Sequence, residues 1–509
     1  MKFLKENLLL SIPLGILLGC SIPFYFYTKA SYDAIEQASL WVRTYFGAFY
    51  LYLGLACVLL LVAVACSRWG NYKLGKPDDK PAFNRLAWIS MLYSAGMGAG
   101  ILLRAVQEPV YMQQNPPLHI DAPAEIIALE FTFYQWGFTA WAFYAIFALA
   151  IGYAIFKRKL PVATSSSFAR LFSEKKQNLA KRFSTGIDVL TIITTVFGLV
   201  AAVGLGASQI KGGLNHLLGY QLDYTVIILL VIVISILALF SALSGVEKGI
   251  KNISTLNIYL TVALLLFVLL QSDILTIFGQ FFSAFYRYII DFVPMSIALG
   301  NYDPGEAFLT DWTYYYWAFW LAWAPFTGIF IARISQGRTL REIIIGVLLI
   351  PSLGTFFWFS AFGTSSFQMI QEWGTYQGEF DNVFTSIFKF LEHYPLQAVV
   401  NGVVILLLVS FLVTSVDSAI YVLSMFTDKR PEPGKMHRTL WGVALMVFSV
   451  AIVLLGQARA DSDVLTAMQK LLIITSLPLS LLLVLMIVLW LIDLWFWKSD
   501  TQKREQLTK

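Results

Sequence analysis

Four tryptophans lie within one apolar segment, residues 311–328, at Trp312, Trp317, Trp320 and Trp323. The faces of aromatic rings carry negative electrostatic potential, so a helix this rich in indoles could surround a cation. Tryptophans also anchor helices at the membrane–water interface, and the segment alone favours that second interpretation. A cation site would require further aromatic and polar partners elsewhere in the chain.

A second group of residues, suited to binding an ion, follows Phe411. Thr414, Ser415, Asp417 and Ser418 place several oxygen atoms within about one turn of a helix. Sodium prefers oxygen ligands, and carbonyl groups of an unwound helix could complete its coordination shell. The alternative is that the hydroxyl groups bond to their own helix while Asp417 faces a water-filled cavity.

Arg104 is an isolated charge in an apolar segment. An arginine near the centre of a membrane helix costs about 2.5–3.5 kcal/mol, so it needs a partner or a route to the surface. The helical rise from Trp88 to Arg104 is about 24 Å, which places the side chain near the outer face, where it could snorkel to water. Glu108 lies four residues further on and is a natural partner. We expect a structural pair, with a role in attracting or gating a carboxylated substrate as the alternative.

The composition places these residues in a membrane. Of 509 residues, 58% are hydrophobic and only 13% are charged, whereas about 25% are charged in an average soluble protein. About 20 apolar residues cross the hydrocarbon core of a bilayer, and the chain contains about twelve such runs. The predicted fold class is therefore an all-α polytopic membrane protein. The predicted spans are 8–27, 45–67, 88–105, 138–156, 187–205, 224–243, 250–270, 312–334, 343–362, 398–425, 440–455 and 471–497.

The distribution of charge predicts the orientation of the chain. Lys and Arg are concentrated at the N-terminus and in every second loop after it, and such basic loops stay in the cytoplasm. Both termini are therefore predicted to be cytoplasmic. The net charge of +5 requires no nucleic-acid partner, because basic loops facing anionic lipid account for it. Cys20, Cys57 and Cys66 fall within apolar runs, which argues against a disulfide framework or a zinc site.

Two of the predicted spans contain residues that disrupt helices. The third span carries glycine at alternate positions from Gly96 to Gly100, and the eighth carries Pro325 followed by Gly328. Glycine permits unwinding and proline removes a backbone donor, so both spans are expected to be broken. The breaks lie five spans apart, which is the spacing of an inverted repeat of five helices with a binding site at the membrane midplane. Close packing of helices is the alternative role of the glycines.

These motifs together resemble the betaine/carnitine/choline transporter family, whose members are secondary transporters of quaternary-ammonium compounds. The resemblance extends from about residue 73 to residue 418, and it implies a LeuT-like core of two inverted five-helix repeats. Residues 1–86 would then hold two spans and a loop, 87–270 the first repeat, 271–497 a periplasmic segment and the second repeat, and 498–509 a short basic tail. The matching stretches are SAGMGAG, EPVYMQQNPP, QWGFTAWAFY, GLGASQIKGGL, DWTYYYWAFWLAWAPFTGIFIARISQGRTLRE and FLVTSVDS.

The resemblance also implies a substrate site made of aromatic rings. Trp136, Trp141 and Tyr144 of the fourth span correspond to one part of the family's aromatic box. Trp320 of the eighth span would complete that box, and Trp323 corresponds to a tryptophan that stacks on the substrate. A trimethylammonium group has no hydrogen-bond donor, so recognition by ring faces is physically reasonable. Because Trp136, Trp141 and Tyr144 are spaced by five and three residues, they need not share one stripe of a helix.

Departures from the family pattern bear on the choice of substrate. Gly98 and Ala99 of the third span are expected beside the substrate, and Ala99 stands where choline-type members tend to carry an acidic residue, which disfavours choline. Phe319 replaces a tryptophan of the eighth span, and Arg104 replaces an apolar residue near the entrance. A glycine betaine-like solute, carnitine, ectoine and a sulfonium analogue are all still open.

Sodium coupling is implied in the same way. The family's sodium-independent exchangers carry an arginine in the seventh span and a methionine in the eighth, whereas this chain has Asn257 and WAPFTG in those regions. Thr195 and Phe326 match part of a second sodium site, but Leu199 stands where sodium-coupled relatives carry a threonine. The residues that match the principal sodium site are Ser94, Met97, Phe411, Thr414 and Ser415.

The sequence therefore predicts a sodium-driven symporter that imports a quaternary-ammonium or related compatible solute by alternating access, with Arg104 and Glu108 as candidate gating residues. A sodium-independent exchanger of the same substrate class is the alternative. An integral-membrane enzyme is disfavoured, because the four histidines are scattered through loops and span ends. Sodium is expected as the coupling ion with no other cofactor, and the resemblance suggests a homotrimer in the cell membrane.

Overall fold

The computed structural model describes residues 7–96, 98–171, 177–244, 247–428, 430, 432–460 and 462–507. These residues form helices and connecting loops, together with one isolated β-bridge between Lys73 and Thr339. The α-helices of six residues or more in this part of the chain are α1 (Leu8–Phe26), α2 (Thr28–Cys66), α3 (Arg85–Gly96), α4 (Ala99–Arg104), α5 (Gln107–Gln114), α6 (Ala124–Trp136), α7 (Phe138–Gly152), α8 (Gln177–Leu218), α9 (Thr225–Ser244), α10 (Glu247–Leu269), α11 (Ile274–Ile297), α12 (Tyr315–Ile334), α13 (Leu340–Trp373), α14 (Ser386–Glu392), α15 (Gln397–Thr427), α16 (Lys435–Gly456) and α17 (Val464–Leu507).

The number of helices fits the prediction of about twelve spans. Within the described residues, 11 helical segments are long and apolar enough to cross a membrane, and the number is 12 if the bent segment formed by α3, α4 and α5 is counted as one span. The all-α polytopic fold class is thus confirmed. Helices α2, α8 and α17 extend well beyond their predicted apolar cores, because hydropathy marks only the part of a helix that suits hydrocarbon.

The third span is broken, as predicted. Residues Arg85–Ser94 and Ala99–Gln114 form two helical segments whose axes differ by 58°. Gly98 between them is extended, with φ −165° and ψ −177°. Met97, a predicted sodium ligand, lies outside the described residues.

The prediction of a break in the eighth span is wrong. Helix α12 continues through Pro325 to Ile334. Proline removes one hydrogen bond from a helix, and neighbouring helices make such a loss tolerable in a membrane protein. Here Pro325 is buried, and α12 is packed against α7, α8 and α17. The irregular part of this segment lies earlier, in a wide π-helical turn at Leu309–Tyr314. The five-plus-five inverted repeat stays a prediction.

Helix α11 is an amphipathic helix outside the predicted spans. Its buried residues recur every three or four positions, as in Ile277, Phe281, Ala284 and Tyr288. That period places them on one face of the helix. The buried face packs against α6 and α13, so α11 covers the fourth and ninth spans along the side.

The loop before the third span is joined to the loop after α12 by backbone hydrogen bonds. Leu74 N donates to Arg338 O at 2.8 Å, and Leu340 N donates to Tyr72 O at 2.8 Å. The Arg338 guanidinium also donates to Phe83 O at 2.9 Å. These contacts fix one end of α12 to the segment that leads into the broken span.

Candidate functional site

Five rings from α6, α7 and the start of α12 meet in one group, which we call the aromatic cluster: Trp136, Trp141, Tyr144, Tyr316 and Trp320. Trp320 is at its centre, with its ring centroid 5.2 Å from Trp136, 5.9 Å from Tyr316 and 6.4 Å from Tyr144. Trp141 contacts Tyr144 edge-on at 5.3 Å. The four residues predicted for the aromatic box therefore lie together.

A break at Gly137 lets one span supply rings to the cluster from both of its halves. Helix α6 ends and α7 begins at Gly137, whose φ of −100° and ψ of −131° are not helical. A β-carbon at this position would lie 2.5 Å from both Phe133 O and Phe356 Cζ, so no larger side chain fits. Beside the break, Gln135 O accepts a hydrogen bond of 2.9 Å from Trp320 Nε1. The change of direction explains how residues without a common helical stripe converge.

The broken third span lies beside the aromatic cluster. A β-carbon added to Gly100 would approach Trp136 Cη2 to 3.3 Å, whereas one added to Gly98 would meet, apart from its chain neighbours, no atom of the described residues within 4 Å. Gly98 and Ala99 are partly exposed and Gly100 is exposed. The break is thus bordered by the Trp136 ring on one side and by accessible space on the other.

Helix α12 presents a second, half-buried aromatic face. Phe319, Trp323 and Phe326 are spaced by four and three residues, and all three are partly exposed. The Trp323 ring lies 6.3 Å from Phe319 and 5.8 Å from Phe326. A β-carbon added to Gly198 of α8 would come within 3.3 Å of Trp323, so this glycine allows close packing of the two helices. Trp323 is thus near the aromatic cluster along α12 but contacts a different set of rings.

The expectation that Arg104 reaches the surface is wrong, because its side chain is buried, with only 5% exposure. Its guanidinium donates to Gln107 Oε1 at 2.7 Å and lies 4.8 Å from the centroid of the Trp312 ring. Arg104 Nε is 4.0 Å from Glu108 Oε2, so the predicted pair forms at the limit of an ion-pair contact. An amide oxygen and a ring face supply the internal partners that make a route to water unnecessary.

Glu108 is fully buried and is engaged mainly by the aromatic cluster. Its carboxylate accepts hydrogen bonds from Trp136 Nε1 at 3.1 and 3.2 Å. The hydroxyl of Tyr316 donates to the same carboxylate. A carboxylate that accepts charge-assisted bonds holds its donors firmly. Glu108 therefore orients two rings of the cluster, while nearby Arg104 offsets its charge.

Three residues of this environment were missed at the sequence level. Tyr316 precedes Trp320 by four residues, so the helical period alone could have placed it beside that ring. Gln107 lies three residues after Arg104 and could have been proposed as its partner in the same way. Phe359, whose ring is 5.1 Å from Trp136, comes from α13, and no sequence spacing points to it.

The residues predicted to bind sodium are only partly brought together. Helix α15 packs against α4 and α8, as a shared ion site would require. Thr414 Oγ1, however, donates to Ser410 O at 2.9 Å and Phe411 O at 3.1 Å, which is the back-bonding alternative. Asp417 is 3% exposed and accepts a hydrogen bond from Ser241 Oγ at 2.9 Å. Asp417 is thus directed at α9 rather than at a water-filled cavity.

The other predicted ion ligands differ in their surroundings. Ser94 and Ser415 are half-buried at the third and tenth spans. Thr195 is buried, and its hydroxyl has no hydrogen-bond partner among the described residues. Phe326 is half-buried on α12, which packs against the helix of Thr195. A buried hydroxyl without a partner costs free energy. Of these groups, the Thr195 hydroxyl is in that situation, and coordination of a cation would satisfy its oxygen.

Comparison with known proteins assigns the chain to a family. The family model described as BCCT, betaine/carnitine/choline family transporter, matches residues 8–496. The chain belongs to the betaine/carnitine/choline transporter family. The predicted resemblance is therefore confirmed over nearly the whole chain, and this member of the family is a multi-pass membrane protein.

Named relatives of this family member carry related solutes. The glycine betaine transporter OpuD of Bacillus subtilis (strain 168) is 36% identical over 479 residues, which are 93% of this chain and 91% of the relative. The betaine/ectoine transporter LcoP of Corynebacterium glutamicum is 33% identical over 496 residues, covering 94% and 77% of the two chains. The high-affinity choline transport protein of Escherichia coli (strain K12) is 31% identical over 470 residues, covering 92% and 68%.

Proposed function

We propose that the protein imports a quaternary-ammonium or related compatible solute by sodium symport through alternating access. The observation that carries the proposal is the aromatic cluster, in which Trp136, Tyr144 and Trp320 converge from two spans beside a break in a third. Ring faces attract a methylated ammonium group that can donate no hydrogen bond. The names of the relatives, glycine betaine, betaine/ectoine and choline transporters, point to the same chemical class.

The proposed substrate position lies between the aromatic cluster and the break in the third span. Trp136, Trp141, Tyr144 and Trp320 would surround the ammonium group, and Gly98 and Ala99 would border the rest of the molecule. Trp323 would contact the substrate from the half-buried face of α12 once the site closes or opens inward. Because Ala99 contributes no charge, we expect a zwitterion of the glycine betaine type, carnitine or ectoine in preference to choline.

The proposed gating role of Arg104 and Glu108 is mechanical. Glu108 holds Trp136 and Tyr316, and Arg104 is held by Gln107 and Trp312. The guanidinium is therefore occupied within the protein, and capture of a substrate carboxylate by Arg104 is the less favoured role. Movement of the third span would instead be transmitted to the cluster through these contacts.

The proposed sodium ligands are Ser94, Met97, Phe411, Thr414 and Ser415 at the principal site. Thr195 and Phe326 belong to a proposed second site, for which the unpartnered hydroxyl of Thr195 is the supporting observation. Hydroxyl and carbonyl oxygens are suitable ligands for a hard cation. Sodium binding there would favour the outward-open form and order the unwound segment for the substrate.

Sodium-independent exchange of the same substrate class is the second candidate. The observation in its favour is that Thr414 Oγ1 already bonds to Ser410 O and Phe411 O of its own helix. In this orientation the hydroxyl hydrogen is engaged by its own helix, while the oxygen keeps its lone pairs.

Uptake into proteoliposomes tests the proposal and separates the two candidates. Labelled glycine betaine, carnitine, ectoine and choline are offered with and without an inward sodium gradient. We expect saturable uptake of one or more zwitterionic solutes that rises at least tenfold with the gradient. Saturable uptake indifferent to sodium, with intact counterflow from preloaded vesicles, would establish the exchanger instead.

A further inference from the structure

Trp358 on α13 is a buried tryptophan whose indole N–H bonds to the backbone of another span. The side chain is 0% exposed, and Nε1 donates a hydrogen bond of 3.1 Å to Ile101 O of the third span. The ring stacks on Phe362, with 4.5 Å between the ring centroids and 29° between the ring planes. An indole has one donor and no acceptor, so this bond uses the whole hydrogen-bonding capacity of the side chain.

The acceptor lies in the shortest helix of the third span. Helix α4 has six residues, begins after the extended Gly98 and is followed by a turn at residues 105 and 106. The last four carbonyl groups of an α-helix have no partner within it, and Ile101 carries the first of these in α4. A helix of so few residues is not stable alone. A donor from a neighbouring span therefore helps to hold α4 in place.

The same stretch of α13 also contacts the fourth span. Phe359, the next residue, is buried, and its ring lies 5.1 Å from the Trp136 ring of the aromatic cluster. Phe356 stacks on Phe133 of α6, with 4.3 Å between the ring centroids. Residues 356–359 thus contact the third and fourth spans together, and they fix the position of one relative to the other.

Gly363 lets α13 approach both spans closely. A β-carbon at this position would lie 2.9 Å from Pro109 Cβ of α5 and 3.0 Å from Leu129 Cδ2 of α6. A larger residue would push these helices apart. The contact of α13 with the third span therefore extends from Ile101 to Pro109, along the half of that span that follows the break.

We propose that Trp358 is a positioning residue of the transport site. Its indole holds the half of the third span that begins at Ala99, while Phe359 supports Trp136 from the same helix. This role rests on the proposed position of the substrate between the break and the aromatic cluster. Ile101 follows Ala99 by two residues, a rise of about 3 Å. A shift of the Ile101 carbonyl would therefore displace the backbone that borders the substrate.

A purely structural role in the core makes a different prediction for the same substitution. Trp358→Phe keeps a large aromatic ring and removes the indole donor. If Trp358 only fills space, the variant should lose overall stability with no particular effect on the third span. If Trp358 positions α4, local opening of residues 99–104 should become about three- to tenfold more frequent, because one hydrogen bond contributes an equilibrium factor of this size.

Amide hydrogen exchange of the purified full-length chain in detergent, without substrate, measures this opening. In Trp358→Phe the peptide that covers residues 99–106 should exchange faster than in the wild type by the same factor. The matched control is Trp441→Phe on α16, since Trp441 is also 0% exposed and donates a hydrogen bond of 3.1 Å, to Thr427 Oγ1. The control should lose a similar amount of stability and leave exchange at residues 99–106 unchanged.

Calorimetry with glycine betaine on the same samples connects the result to transport. Affinity should fall in Trp358→Phe by a factor similar to the rise in exchange, and it should keep its wild-type value in Trp441→Phe. If Trp358→Phe does not fold, the tryptophan analogue benzothienylalanine is placed at position 358. Its sulfur replaces the indole N–H at nearly constant shape, so the same results are expected.

Equal exchange at residues 99–106 in the folded variant and the wild type overturns the proposal. Faster exchange with unchanged affinity would also overturn it, because α4 would then be held by Trp358 without effect on the substrate site. A wild-type chain that binds no glycine betaine would contradict the proposed substrate instead. The exchange measurement uses no substrate, so it would still decide whether Trp358 holds α4.

Discussion

Trp320 is held in one orientation by contacts on several sides. Its ring meets Trp136, Tyr144 and Tyr316, and its indole nitrogen donates to Gln135 O. A ring fixed in this way can offer a face to a ligand without losing conformational entropy on binding. These contacts make Trp320 the residue on which the proposed cation site depends most.

Replacement of Trp320 by Leu should abolish measurable transport while the protein is still expressed. A desolvated cation–π contact contributes about 2 kcal/mol, so affinity for the preferred solute should fall by about 30-fold. Binding is measured by calorimetry on the purified chain. The matched control is Trp41→Leu on α2, since Trp41 is 55% exposed and lies outside the cluster. Unchanged affinity in the Trp320 variant would remove the cation–π argument.

The contact between Arg104 and Glu108 should show strong energetic coupling. Removing one member of a buried ion pair costs about 3–5 kcal/mol, because the other charge is left without compensation. Arg104→Leu and Glu108→Gln should each lower the unfolding temperature, and the double variant should be less destabilised than the sum of the two. Glu108→Gln should also reduce substrate affinity, since Trp136 and Tyr316 lose a charged acceptor. Strictly additive losses of stability would show that Arg104 is balanced by Gln107 and Trp312 alone.

At the level of residues, the sequence predicted site residues correctly where a family motif identified them. Trp136, Trp141, Tyr144 and Trp320 were identified from a family pattern, and the structure places them in contact. Phe359 could not be predicted, because contacts between distant helices leave no spacing in the chain. The position of Arg104 was mispredicted because helical rise gives depth but not which neighbours enclose a side chain.

At the level of helices, two interruptions position the site. The third span is broken at Gly98 and the fourth at Gly137, and rings from both sides of the second break reach the same centre. Glycines that recur at alternate positions predicted the first break. The second was not predicted, since one glycine between Trp136 and Phe138 carries little signal by itself. Pro325 carried a strong signal and the structure shows no break there, because packing overrides local preference.

Substitution of Gly137 by Ala should disturb the fourth span. The added β-carbon would lie 2.5 Å from Phe133 O and Phe356 Cζ and 2.7 Å from the hydroxyl of Tyr288. Overpacking of this kind costs about 1–3 kcal/mol, so the unfolding temperature and substrate affinity should both fall. Gly279→Ala on α11 is the control, because among the described residues a β-carbon there meets no atom outside its own helix backbone within 4 Å. Equal stability of the two variants would contradict the packing argument.

At the level of the whole molecule, hydropathy was sufficient for the fold class and the number of spans. It could not reveal α11, whose apolar residues occupy one face only, nor how far α2 and α8 continue beyond the apolar core. The inverted repeat and the proposed homotrimer depend on relations between helices or between chains. Neither relation is encoded in the apolar pattern of a single chain.

The proposed orientation, with both termini in the cytoplasm, can be tested with reporter fusions. Basic loops alternate along the chain, so a green fluorescent protein joined after residue 509 should fluoresce in bacterial cells. Alkaline phosphatase joined after Asp303, in the loop between the seventh and eighth predicted spans, should be active outside the cytoplasm. The reverse pattern of the two signals would invert the proposed topology.

Because α12 continues through Pro325 without a break, we expect it to move as one rigid helix. Its 20 residues span about 30 Å; Trp320 lies towards one end, and the other end leads directly into the backbone bonds between Arg338 and Leu74. A helix without a hinge transmits a displacement of one end to the other end. Displacement of Trp320 on binding of the proposed substrate should therefore also shift the other end of α12, which is bonded to the segment that leads into the broken third span.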